Sequence, residues 1–150
     1  MKEVILDLFT NGTFLTILSG VLVFIVSQYF LLLVINPHKD YKQLKQKIIY
    51  NLKLYCQYYF NPYDLVNEDR NMRNISEYEN ASNEIRKVGS EIAGYIGTIS
   101  FLRFNKIKKL NKVVDSLIGI SNGFYIYPNY NPVEDTKKLE ENIKKILHFK

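Results

Sequence analysis

From Phe9 to Pro37 no side chain is charged at neutral pH, and the apolar runs Phe14–Val26 and Tyr29–Ile35 are interrupted only by Thr16, Ser19, Ser27 and Gln28. Residues 13–35 in a helix extend roughly 34 Å at about 1.5 Å each, slightly more than a hydrocarbon core of about 30 Å. A helix buried in a soluble core would normally keep a polar face, and this stretch has none. A cleaved signal peptide would need a basic start, a shorter apolar stretch and a small-x-small site, but Leu33-Val34-Ile35-Asn36-Pro37-His38 has no small residue. The pattern predicts a retained signal anchor, with a transmembrane helix over 13–36 after a short extracytoplasmic segment 1–12.

Beyond Pro37, which marks a kink or a fresh helix start, the period becomes amphipathic. Leu44, Ile48, Leu52, Tyr55 and Tyr59 recur three and four apart, and this helix ends near Asn61-Pro62. Residues 62–75 are polar and turn-rich, which predicts a loop. Ser76 and Glu79 then have capping-box spacing ahead of a helix that places Ala81, Ile85, Val88, Ile92 and Tyr95 on one face, with Gly94 and Gly97 closing it or letting it pack tightly. Residues 98–104 lack a clear period. Ile107, Leu110, Val114, Leu117 and Phe124 mark a third helix, broken by Gly123 and Tyr-Pro-Asn-Tyr-Asn-Pro. Asn131, Pro132 and Glu134 supply a cap, a first-turn proline and a box partner for a last helix facing inward with Leu139, Ile143, Ile146 and Leu147. Nothing alternates with period two for long. The expected fold is all-α: one N-terminal transmembrane helix and a bundle of about four helices over 37–150.

Charge sets the expected orientation. Residues 1–12 carry Lys2, Glu3 and Asp7, whereas 38–53 carry Lys39, Lys42, Lys45, Lys47 and Lys53 against Asp40 alone. The positive-inside rule places the helical domain in the cytoplasm, with Lys39, Lys42 and Lys45 as candidates for contact with anionic headgroups. Within the span, Thr13, Thr16, Gly20 and Ser27 form a small, weakly polar stripe. Thr16-x-x-x-Gly20 is a small-x-x-x-small spacing that permits close helix approach, so Thr16, Gly20, Ser27 and Gln28 are candidate contacts in a homo-oligomer.

Candidate chemistry is sparse. The one cysteine, Cys56, has no internal disulfide partner, and His38 and His148 lie far apart without flanking ligands, so no metal or cofactor is expected. The serines lie outside any Gly-x-Ser-x-Gly setting, and Gly89, Gly94, Gly97, Gly119 and Gly123 lie in or at the ends of helices, not in a phosphate-cradling loop. Pairs such as Glu68-Asp69 and Glu140-Glu141 read as solvated faces. The exception is Arg103, Lys106, Lys108, Lys109 and Lys112, five cations within ten positions and no acid among them. They form either a solvated face or a site for anionic lipid, a phosphate-bearing ligand or nucleic acid.

Leu18–Phe24, Ile35-Asn36-Pro37, Ala81–Arg86 and Leu117–Asn122 resemble a group of small bacterial proteins with one N-terminal span and a short helical domain. That resemblance implies the bacterial inner membrane and adds no functional residue. The leading expectation is a non-enzymatic, membrane-anchored interaction or signalling module whose partners are the bilayer, a cytoplasmic protein or a phosphate-bearing ligand. The alternatives are a membrane-perturbing effector that assembles into a pore in a defence or stress response, and an enzyme whose pocket gathers Glu84, Arg86 and Asn122.

Overall fold

The computed structural model describes residues 12–71, 73–99 and 104–148. The chain divides into two compact units at Asp40–Tyr41. The first holds α1 (Gly12–Phe30), a single wide turn of π-helix (Leu31–Ile35) and the opening of α2 (Asn36–Phe60). No residue of α1 is buried, and most are exposed, including Val23, Phe24 and Val26 at 66, 63 and 66%. This helix is long and apolar enough to cross a membrane.

Pro37 does not start a fresh helix. In a regular helix its ring would press on the carbonyl of Leu33, four residues back. The backbone instead widens in the preceding turn, where the Asn36 N–H bonds the Leu31 carbonyl five residues earlier, and helix continues on either side. A π-turn of this kind is a known way to absorb such a break.

The second unit is built from the rest of α2, then α3 (Ile75–Thr98), α4 (Phe104–Asn122) and α5 (Val133–Ile146). Its core takes Ile48, Leu52 and Tyr59 from α2, Ala81, Ile85, Val88 and Ile92 from α3, Leu110, Val113, Leu117 and Ile120 from α4, and Ile143 from α5. α4 lies between α3 and α5, packing on both. Burying each large aliphatic side chain stabilises the fold by about 1.5–3 kcal/mol before entropy is counted. The apolar stripes expected on α2 and α3 are in place. On α4 the buried row includes Val113 and Ile120, while Ile107 and Val114 are only half-buried, because α4 is covered from two sides and its inward arc is wider than one stripe.

The loops differ most from expectation. Tyr63–Asp64 (β1) and Tyr125–Ile126 (β2) form a parallel pair, with the Tyr63 N–H on the Phe124 carbonyl at 2.8 Å and the Leu65 N–H on the Ile126 carbonyl at 3.3 Å. Two residues are too short to display a period of two, so this departure from a purely helical fold leaves no pattern in the sequence. The segment 62–75 includes β1 and a 3₁₀ turn at Glu68–Arg70. Asp64 Oδ1 accepts the N–H groups of Val66 and Asn67, and the Asn71 amide both accepts from the Asp64 N–H and donates to its carbonyl.

Helix starts are also shifted. α3 is capped by Asn74, whose side chain accepts from the Ser76 N–H at 3.3 Å, so Ser76 lies inside the helix and not at its cap. For α5, Asn131 Oδ1 takes the Val133 N–H at 3.1 Å, as expected of a capping residue, while Pro132 precedes the first helical residue. Gly94 and Gly97 do not serve close packing: a Cβ at either would meet nothing within 4 Å among the described residues. The tight approaches are at Gly119, where a Cβ would fall 2.7 Å from Leu139 Cδ1, and at Gly123, where it would run into Thr136 Cγ2, both where α4 meets the α5 segment.

Candidate functional site

The polar stripe of α1 is occupied with its own backbone. Thr16 Oγ1 donates to the Gly12 carbonyl at 2.9 Å, Ser19 Oγ to Thr16 at 2.8 Å and Ser27 Oγ to Val23 at 2.7 Å. Such back-bonding satisfies a hydroxyl without a partner helix. Gly20 leaves open space around its Cα, and Gln28 is exposed.

The basic residues separate into different environments. Lys39 and Lys42 are exposed and Lys45 is half-buried. Arg103 lies outside the described residues. Lys106 leaves the cluster: its Nζ sits 3.7 Å from the centre of the Tyr41 ring and 3.2 Å from the Tyr95 hydroxyl, and those two rings stack at 6.4 Å. This is a cation–π arrangement inside the bundle. Burial raises the Tyr41 phenol above its ordinary value, keeping it neutral beside the ammonium.

Lys108, Lys109 and Lys112 point elsewhere. At about 100° per residue they share roughly 100° of the helix circumference. They line a groove of about 400 Å³ together with Asn105 and, from α5, Ile146. A second hollow of about 380 Å³ shares Lys112 and Ile146 with it and is lined also by Asp115, Ser116, Asn142 and Lys145. Ser116 gives its hydroxyl hydrogen to the Lys112 carbonyl at 2.8 Å. Four ammonium groups therefore face a single lining carboxylate, Asp115. Lys145 and Asn142 were not singled out in the sequence: they lie three apart on the polar side of α5, and nothing local shows that this side faces the lysines of α4.

Other polar groups are structural. Arg86 and Asn122 do meet, but as a clasp on the end of α4: Arg86 donates to Ser121 Oγ at 3.1 Å and to Asn122 Oδ1 at 2.9 Å, while Ser82 donates to the Ser121 carbonyl at 3.0 Å. Glu84 lies apart and pairs with Lys87 at 3.5 Å. A polar cleft of about 390 Å³ beside β1 is lined by Gln57, Asn61, Arg70, Asn71, Arg73 and Tyr78. In it Arg73 is engaged by Gln57 at 2.7 Å and lies 4.8 Å from the Tyr58 ring centre.

Glu140 departs from its expected solvated face. Only 13% of its side chain is exposed, it holds Lys144 at 2.7 Å, and after burial itself its charge is the next cause that pushes the Tyr59 phenol up. Cys56 is half-buried with a free thiol, and His38 and His148 are exposed. Among the described residues no three His, Cys, Asp or Glu side chains gather as metal ligands would. No protein-family model, curated protein or solved structure matches this chain.

Proposed function

We propose that this chain is a non-enzymatic, membrane-anchored interaction module: α1 crosses the inner membrane of a bacterial cell once, and the helical domain works on the cytoplasmic side, where it binds a partner. The observation that carries this reading is the contrast between the two units. The domain encloses its own core, whereas the apolar side chains of 12–35 stand exposed. At about 25 cal/mol per Å² such a surface is strongly unfavourable in water and favourable in hydrocarbon. The lysines after the helix, Lys39, Lys42, Lys45, Lys47 and Lys53, support a cytoplasmic domain.

The test is extraction and topology in bacterial cells. The expected result is a full-length chain that stays in the membrane pellet at alkaline pH, with a domain digested by protease in inverted vesicles and protected in spheroplasts. Release at alkaline pH would refute the span, and digestion in spheroplasts would reverse the orientation.

A further inference from the structure

We propose that the groove between α4 and α5 binds clustered phosphate groups through Lys108, Lys109 and Lys112 on one helix and Lys145 on the other. The inference goes beyond membrane anchoring and does not rest on it, since the groove lies wholly within the helical domain.

Its basis is that these four unpaired cations line two hollows that share Lys112 and Ile146. Several other lysines are matched, Lys47 with Glu91, Lys87 with Glu84, Lys138 with Asp135 and Lys144 with Glu140, whereas the exposed Lys39, Lys42 and Lys53 have no ion pair among the described residues but line neither hollow. Arg73 and Arg86 hold side-chain oxygens, Lys106 sits over Tyr41, and Lys137 lies 6.0 Å from the Phe60 ring centre. Lys108, Lys109, Lys112 and Lys145 make no ion pair among the described residues, although Asp115 lines the hollow that Lys112 and Lys145 share. Lys108 and Lys112 are four apart, and like charges at that spacing repel, so the arrangement favours an external anion.

The chemistry narrows the ligand. Lysine ammoniums are compact point charges with three donors each, suited to phosphate oxygens approached from several sides rather than to the planar fork of a single carboxylate. Three of them on α4, with Lys145 of α5 lining a hollow together with Lys112, match more than one phosphate. Asn105 and Asn142 add neutral amide donors in the same lining. Phosphates can be clustered on a free polyphosphorylated molecule or in adjoining lipid headgroups, and the experiment separates these sources.

The full-length chain in phosphatidylcholine nanodiscs is titrated with tripolyphosphate by calorimetry at low and moderate salt, and in parallel mixed with vesicles containing phosphatidylglycerol in a flotation assay. The groove variant is Lys108→Gln/Lys112→Gln/Lys145→Gln. The control, Lys53→Gln/Arg70→Gln/Lys87→Gln, removes the same charge at exposed positions away from the groove, and circular dichroism verifies that both remain helical. The expected result is tripolyphosphate binding that weakens at least tenfold in the groove variant and less than threefold in the control. Capture by the anionic vesicles with that same dependence, in place of tripolyphosphate binding, would assign the phosphates to lipid. Absence of binding to both probes, or equal losses in the two variants, would overturn the proposal, whatever the outcome of the extraction and topology experiment.

Discussion

The Lys47 ammonium on α2 reaches both carboxylate oxygens of Glu91 on α3, at 2.5 and 2.6 Å, and so ties two helices through residues 44 apart in sequence. Their side chains keep 42 and 35% of their exposure, so water screens the pair and its net contribution is about 0–1 kcal/mol. Urea unfolding of Lys47→Ala, Glu91→Ala and the double variant is expected to give a coupling below about 1 kcal/mol that shrinks with added salt. A larger, salt-insensitive coupling would mean that the pair is drier than its exposure implies.

Two glycines in the same domain respond oppositely to one methyl group. Gly123→Ala drives a Cβ into Thr136 Cγ2 and to 3.3 Å from the Ile120 carbonyl and from Pro132, and should destabilise the domain by about 1–3 kcal/mol. Gly94→Ala enters open space within α3 and should stabilise it by about 0.5–1 kcal/mol through helix propensity. Denaturation midpoints of the two variants measure both effects.

Burial, not hydrophobicity alone, should rank the isoleucines. Ile85 is 0% exposed and Ile85→Ala should cost about 2–5 kcal/mol, whereas Ile118 is 44% exposed and Ile118→Ala should stay within about 0.5 kcal/mol. Chemical denaturation compares them, and equal losses would contradict the orientation of α4.

The Asp64 turn has a pH signature. The N–H groups of Asn67 and Val66 hold its carboxylate and lower its pKa from 3.8. A depressed folded-state pKa contributes stability that is present above 3.8 and lost as pH falls through the lower folded value. Asp64→Ala should therefore be less stable than wild type near neutrality, with the difference closing in the acid range below 3.8. A carboxyl titration followed by NMR locates the folded value directly, and a difference independent of pH would remove the charge from the explanation.

Much of the architecture was readable because it rests on local periodicity. The apolar run before Pro37 and the stripes Ala81–Ile85–Val88–Ile92 and Ile48–Leu52–Tyr59 each lie within one helix, where a spacing of three and four residues directly states which face leaves water. The helix starts were one or two residues off, since Asn74 and Ser76 are both competent caps and only the backbone path selects between them.

The site was half legible. Arg103, Lys106, Lys108, Lys109 and Lys112 stood out as a cluster by count, but count ignores direction. Lys106 turns toward Tyr41 and Tyr95, while Lys108, Lys109 and Lys112 line one hollow and Lys112 shares a second with Lys145, a residue from the far end of the domain.

Residue order alone determined that this protein has one long apolar helix followed by amphipathic ones, because helical faces are written within a few turns of chain. Tertiary structure alone decided that Tyr63 pairs with Tyr125, that Gly119 and Gly123 are the positions of close approach, and that lysines from α4 and α5 share one groove. Each of these joins segments that a loop or whole helices separate, and no local pattern encodes which surfaces meet when several apolar faces are buried together.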